Sequence, residues 1–184
     1  NTRAVYMETP SNPTLKITNV AGITSWAREN GLLTLLDNTF MTPYYQRPIE
    51  QGVDIVLHSA TKFLGGHSDV LAGLAVARTE SLGRQIKQLQ NGLGTVLAPQ
   101  ESWLLMRGMK TLEARMAHSE KSAAKLANWL NERNDIEAVY YPGLENHPGR
   151  VIHESQSSGY GAVISFDVGS GERAKEVLSR VRIP

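Results

Sequence analysis

Four short apolar runs recur through the first hundred positions, at Val5–Glu8, Leu32–Leu36, Ile55–His58 and Ala72–Ala77. Each has the length of a strand rather than of a buried helix. Between the first two, Val20, Ile23, Trp26 and Ala27 fall at spacings of three and four. That spacing predicts a helix over Ile17–Asn30, with Gly31 just past its end. Pro48–Gln51 reads as a short helix ahead of Gly52 and the third strand. Apolar strands alternating with helices predict an α/β fold with a mostly parallel sheet buried on both faces. The fourth strand follows the tight Gly65-Gly66 turn and fits either direction.

From Pro99 the period changes. Leu105, Met109, Leu112, Met116, Ala123, Leu126 and Leu130 form one apolar stripe, which predicts a single long helix to about Asn131. Pro99 suits its first turn. Gly108 lies inside it and should weaken or bend it by about 1 kcal/mol relative to alanine. Ser119 and Glu120 interrupt a coiled-coil seam, so the helix is read as a bridge between two domains. A strand (Ala138–Tyr141), a Pro142-Gly143 turn, a polar loop (Glu145–Gly149), a second strand (Ala162–Val168) and a helix (Glu172–Val181) follow, an α+β order. The expected division is residues 1–110 and 111–184.

Composition narrows the class. Of 184 residues, 41% are apolar and 20% charged, with net charge +1. That balance argues against a nucleic-acid or membrane surface driven by bulk charge. No apolar run is long enough for a membrane helix, and a cytoplasmic enzyme is the expectation. There is no cysteine, hence no disulfide and no thiolate metal site. Both ends are abrupt, with Ala4-Val5-Tyr6-Met7 near the start and Val181-Arg182-Ile183-Pro184 straight after a helix, which suggests a fragment. The tryptophans Trp26, Trp103 and Trp129 are expected in core or interface packing. His118, His147 and His153 are expected at the surface, and Tyr44 and Tyr45 either line a site or pack.

Candidate chemistry gathers after three strands. Asp54-Ile55-Val56-Leu57-His58-Ser59-Ala60-Thr61-Lys62 ends an apolar strand in two hydroxyls and a lysine, and ligands of open α/β sheets gather at such strand ends. Extended backbone puts Ser59 and Thr61 on one side, where they and nearby N–H groups suit a phosphate. By itself the segment is better described as a solvated lysine after a strand, with the hydroxyls capping a turn. Asp37 follows Leu32-Leu33-Thr34-Leu35-Leu36 and should be at least half buried. A carboxylate there needs a positive partner or several donors, and a protonated pyridine nitrogen is one such partner. Capping a loop or binding Mg²⁺ is the alternative. Glu8-Thr9-Pro10-Ser11-Asn12-Pro13-Thr14 follows the first strand, stiffened by two prolines. Asn12 can donate to a phenolate oxygen, or the segment is a rigid turn.

Glu-Thr-Pro-Ser-Asn-Pro-Thr, Asp-Asn-Thr-Phe-Met-Thr-Pro-Tyr and His-Ser-Ala-Thr-Lys-Phe-Leu-Gly-Gly-His-Ser-Asp closely resemble the Cys/Met-metabolism enzymes that use pyridoxal phosphate (PLP), the trans-sulfuration group of cystathionine β-lyases, γ-synthases and γ-lyases. The resemblance continues through Gln100–Met116 to Gly159–Asp167 and covers essentially the whole chain. It implies an aspartate-aminotransferase-like fold (PLP fold type I), with the later part of the large domain and the start of the small one. It implies that Lys62 carries the cofactor as a Schiff base and moves the Cα proton, for which its amine must be neutral. Asp37 then meets the pyridine nitrogen, Ser59 and Thr61 the phosphate, and Asn12 the ring oxygen, with Glu8 and Thr39 in support.

The resemblance further implies a small sulfur amino-acid substrate and a homotetramer built from dimers. It places a ring-stacking tyrosine and more phosphate donors before Asn1, and a carboxylate-binding arginine beyond Pro184. The 184-residue stretch alone is therefore expected to be inactive. The expected reaction is that of a cystathionine β-lyase, with γ-synthase or γ-lyase chemistry as the alternative. An inactive oligomerising piece is the reading from another class. His58, His67 and Asp69 lack the spacing of a helical metal pair, and Gly92-Leu93-Gly94 lacks the third glycine of a dinucleotide loop.

Overall fold

The four apolar runs pair into one sheet. The computed structural model describes residues 1–182, so Ile183 and Pro184 at the abrupt end lie outside the described residues. Strands β1 (Ala4–Glu8), β2 (Leu33–Asp37), β3 (Ile55–Ser59) and β4 (Gly73–Ala77) lie in the order β1-β2-β3-β4. The first three are parallel and β4 is antiparallel to β3. Helix α1 (Val20–Glu29) connects β1 to β2. Asn19 caps it by accepting from the Gly22 N–H, so the predicted start at Ile17 moves inward by three residues.

The sheet is buried on one face rather than two. Met7, Leu36 and Val56 face α1 and pack with Val20 and Val53. The opposite face carries Tyr6, Leu33, Leu35, Ile55 and Leu57, and Tyr6 is 60% exposed. The apolar runs anticipated cover on both sides. Among the described residues that cover is supplied only on the α1 side, because the connections from β1 to β3 place their one long helix there.

Several helices depart from the predicted pattern. Pro48–Gln51 is a succession of i→i+3 turns, with Gln51 N–H bonded to Pro48 O and Gly52 N–H to Ile49 O. Helix α2 (Thr42–Tyr45) is one turn led by Pro43. Helix α3 (Glu80–Leu93) was not anticipated, although Thr79 caps its N-terminus and Leu82, Ile86, Leu89 and Leu93 recur at helical spacing. Gly83 and Gly92 obscured that pattern. The long bridging helix is two: α4 (Pro99–Met109) and α5 (Leu112–Asn131), broken at Lys110-Thr111. Gly108 faces the Gly65 carbonyl so closely that a Cβ there would lie 2.1 Å from the oxygen. The Thr111 hydroxyl bonds the Gly108 carbonyl and closes the break.

The remaining elements are β5 (Ala138–Tyr140), α6 (Arg150–Gln156), β6 (Ser165–Asp167) and α7 (Gly171–Arg180), with β5 and β6 antiparallel. Helix α6 begins where the polar loop was expected to end. Tyr141, Leu144, Ala123 and Ala127 form the core beneath this hairpin. Gln156 holds this region to α1: its side chain accepts from the Val20 N–H and donates to Thr18 O. The three tryptophans are all more than half exposed, two of them with an arginine over the ring, and form no core. His153, expected at the surface, is 1% exposed, with Nε2 bonded to Gly159 O. Tyr45 packs with Met41 and Met116 and donates to Glu120, so it is a packing residue. No helix among the described residues is long and apolar enough to cross a membrane.

Candidate cofactor site at the sheet edge

Parallel register brings the strand ends together. Glu8 pairs with Asp37 and Asp37 with Leu57, which leaves Ser59 one step beyond at the same edge. Paired residues point to the same side of a sheet, so Glu8 and Asp37 share the open face with Tyr6. The Thr39 N–H donates to Asp37 Oδ1 at 2.9 Å, and the Tyr6 hydroxyl donates to Oδ2 at 3.4 Å. Thr39 Oγ1 in turn accepts from the Ser59 N–H at 2.7 Å. One threonine therefore aims the carboxylate that ends β2 and fixes the residue that ends β3. Glu8 Oε2 accepts from the Asn12 N–H at 3.3 Å and ties the Pro-rich loop to β1.

Lys62 sits in a tight turn beyond β3. Its N–H bonds Ser59 O at 3.1 Å, Gly65 N–H bonds Ala60 O at 2.8 Å, and Gly66 N–H bonds Lys62 O at 2.7 Å. The backbone is no longer extended after Ser59, so strand alternation does not place Thr61 beside it. The Ser59 N–H is also committed to Thr39 rather than open to a phosphate. Thr61 is anchored to the start of the β4 arm: its Oγ1 accepts from Ala72 N–H at 3.0 Å. That leaves the hydroxyl a lone pair, and a proton now directed at Ala72 O over a long 3.3 Å.

Two groups of residues result. Asn12, Thr61 and the exposed Lys62 line one cavity of about 1130 Å³ together with Phe40, Asp69 and Arg115. Asp37, Thr39 and Ser59 form a hydrogen-bonded set at the neighbouring strand ends, with Glu8 in register beside Asp37, all outside the lining of that cavity. The Glu8–Asn12 bond joins the two groups.

The donor and acceptor set fits pyridoxal phosphate. Asp37 is partly buried, and among the described residues no lysine, arginine or histidine lies in ion-pair range of it. Its oxygens meet one backbone N–H and one long phenol contact, which leaves acceptor capacity for a cationic ring nitrogen. The Lys62 amine, the Thr61 hydroxyl and the Asn12 amide line the cavity and the Ser59 hydroxyl ends β3, a donor set that suits an aldehyde, a phosphate and a ring oxygen.

Sequence reasoning did not single out two residues of this region. Tyr6 lies two positions before Glu8, so strand periodicity already put it on the Asp37 face. Arg115 reaches the Lys62 turn from 53 positions away, and no local pattern marks it. His58, next to Asp37 and Asn38, is buried with Nδ1 unpaired. Burial pulls the His58 pKa below its ordinary value, against the opposing pull of Asp37. His67 is held to Gly65 O through Nδ1. Among the described residues no three His, Asp or Glu side chains converge as metal ligands.

The chain resembles known proteins over its whole length. Cystathionine beta-lyase of Bacillus subtilis is 54% identical over 184 residues, covering all of this chain and 47% of that protein. Cystathionine gamma-lyase of the same organism is 49% identical over 183 residues, covering all of this chain and 48% of that protein. The crystal structure of cystathionine gamma-lyase from Lactobacillus plantarum complexed with L-serine superposes with a TM-score of 0.90 at 50% identity, over 92% of this chain and 44% of that one. The chain thus spans about half the length of the curated relatives it matches, and its fold is that of fold type I PLP enzymes. The model of the Cys/Met metabolism PLP-dependent enzymes matches residues 1–184. With that match over its full length, the chain belongs to the Cys/Met metabolism PLP-dependent enzyme family.

Proposed function

We propose that the protein carrying this chain is a PLP-dependent carbon–sulfur lyase of cystathionine β-lyase type, cleaving cystathionine to homocysteine, pyruvate and ammonia. The observation that carries the reading is that Lys62 lies in the turn directly after β3, bonded to Ser59 O, at the sheet edge where β1 and β2 end in Glu8 and Asp37 and where Thr39 bonds both Asp37 and Ser59. The 54% identity to a β-lyase supports the β-type chemistry. When bound, the cofactor supplies an electron sink that stabilises negative charge at the substrate Cα.

The chain's own residues do the rest. The Lys62 amine holds the cofactor and moves the proton at Cα, acting as a general base when neutral. Asp37 meets the ring nitrogen as a counter-charge. Thr39 keeps that carboxylate oriented through its N–H and sets Ser59 through its hydroxyl. The Ser59 and Thr61 hydroxyls bind the phosphate, and the Asn12 amide donates to the ring oxygen. Glu8 orients Asn12 by accepting its backbone N–H. Residues 1–110 act as the cofactor-binding part and 111–184 as the start of a second domain, a division supported by the break between α4 and α5. A homotetramer built from dimers, located in the cytoplasm, completes the reading.

Borohydride reduction of the PLP-loaded full-length protein tests the site. The reduced adduct is expected on Lys62, and Lys62→Ala is expected to lose about 10²–10⁴-fold or more in kcat. An adduct on another lysine, or none in a folded protein, sinks the assignment. Cystathionine then separates the chemistries. Pyruvate is expected, and 2-oxobutyrate in its place would replace the β reading with the γ reading that the 49% identical γ-lyase supports.

A further inference from the structure

Arg115 is a cation used in an uncommon way. It sits half buried on α5, and among the described residues no carboxylate lies in ion-pair range of it. All three guanidinium nitrogens are engaged. Nη1 donates to Phe63 O at 2.8 Å, Nη2 to Gly108 O at 3.0 Å and Nε to Thr111 Oγ1 at 2.9 Å. Two of these acceptors belong to the junction of α4 and α5. Gly108 O is among the last carbonyls of α4, at the negative end of its dipole, so the charge is compensated there. The third acceptor is the carbonyl of the residue after Lys62.

The contact is close on both sides. A Cβ on Gly66, whose φ is +71°, would lie 2.2 Å from Arg115 Nη1. A Cβ on Gly108 would lie 2.1 Å from Gly65 O. The turn that presents Lys62 is thereby pressed against the helix junction, with the guanidinium as its fork. The turn is also held by backbone bonds within residues 59–66, by Thr61 to Ala72, by His67 Nδ1 on Gly65 O, and by Ala60 and Leu64 packed with Leu105. Arg115 adds to these a charged hydrogen bond from α5 to the backbone of the turn, at Phe63 O.

We propose that Arg115 is a positioning residue for Lys62: it locks the Lys62 turn onto the α4–α5 junction and sets the direction from which the lysine enters the cavity. This rests on the reading of Lys62 as the cofactor lysine. A planar fork with two parallel donors is what the two carbonyls require, and lysine, a single-point donor, cannot reproduce it.

The test uses the full-length protein with Arg115→Ala, Arg115→Lys and, as a control, Arg133→Ala, whose partner Asp135 is exposed. In the cofactor-free protein, hydrogen exchange at the Gly65 and Gly66 amides is expected to rise at least tenfold in Arg115→Ala, while the β3 amides stay within twofold. In the loaded protein, the pH midpoint of the visible band of the Lys62-bound cofactor is expected to move by about half a pH unit or more. On the same protein kcat is expected to fall at least tenfold with KM within threefold. Arg115→Lys is expected to restore less than half of each effect, and Arg133→Ala to show none.

Unchanged exchange at Gly65 and Gly66, or an unchanged spectral midpoint with kcat within twofold, overturns the proposal. Full rescue by lysine also overturns it, because charge alone would then suffice. If Arg115→Ala does not fold, Arg115→Lys carries both readouts with the same criteria. A wild-type protein that forms no adduct on Lys62 overturns the parent reading instead, and the exchange data on the cofactor-free protein tell the two failures apart.

Discussion

Replacing Asp54 by alanine is expected to destabilise the protein by about 2–4 kcal/mol, and the structure shows where that cost arises. Asp54 precedes β3, and its carboxylate side chain is only 13% exposed. Oδ2 accepts from the Thr34 N–H at 2.9 Å and from the Thr34 hydroxyl at 3.0 Å, while Oδ1 accepts from Arg78 Nε at 3.2 Å and Nη2 at 2.5 Å. This clasp binds β2, β3 and the segment after β4 at the edge opposite the cofactor. Alanine leaves the buried Thr34 N–H without a partner, a loss of about 1–3 kcal/mol. Arg78 is 40% exposed and can turn to water, so its share is smaller, about 1 kcal/mol. Asparagine keeps an acceptor for Thr34 and loses only the charge, about 1–2 kcal/mol.

Urea unfolding of the full-length protein is the assay, with a midpoint expected to drop by about 1–2 M for Asp54→Ala. The pH dependence gives a second handle. Burial pushes the Asp54 carboxyl up, but Arg78 and the two Thr34 donors outweigh it, and the folded-state pKa lies below the ordinary value. The stabilisation is therefore complete above the unfolded pKa, about 3.9, and fades as pH falls through the lower folded value. The gap between wild type and Asp54→Asn should hold from pH 7 to 5 and close below about pH 4. An Asp54→Ala cost under 1 kcal/mol, or a gap that does not close in acid, refutes this account.

Further outcomes follow from other contacts. Gly108→Ala should cost about 1–3 kcal/mol by overpacking against Gly65 O, read as a lower thermal midpoint, whereas Gly92→Ala, with open space around it, should stabilise or be neutral. Tyr45→Phe removes the 2.6 Å bond to Glu120 and should cost about 1–2 kcal/mol in the same measurement, with Glu120 still accepting from the Tyr160 N–H. Burial lowers the His153 pKa although Gly159 O opposes it, so its neutral form is favoured in the fold. Stability should be full above the unfolded value of about 6.5 and fall as pH drops below it. His153→Gln should flatten the urea midpoint profile between pH 7 and 5, and an unchanged profile would remove His153 from the acid response.

The four strands, the α1 crossover and the residues ending each strand were legible because they are local. Period-2 and period-3.6 patterns, proline and glycine punctuation and the three long motifs all lie within about a dozen residues each. That was enough to name Lys62, Asp37, Ser59, Thr61, Asn12, Thr39 and Glu8 as candidates. Their arrangement was not local. Thr61 leaves the strand direction because the turn from Ala60 to Gly66 closes on itself, and Thr39 takes the Ser59 N–H only because β2 and β3 lie side by side.

The helix break shows the same division most plainly. Gly108 in the apolar stripe announced a weak point, but the sequence alone could not say whether the helix bends or ends. It ends because a second glycine turn, more than forty residues earlier, presses its carbonyl into the gap, and because Arg115 reaches across to hold both. His153 likewise looked like a surface residue among polar neighbours, yet the fold buries it against Tyr160 and the Gly159 carbonyl. What the sequence determined by itself was which segments extend, which coil and which chemistry each strand end offers. What the tertiary structure decided was which distant groups satisfy one another once those ends meet, because hydrogen bonds between segments depend on register and approach that no single segment encodes.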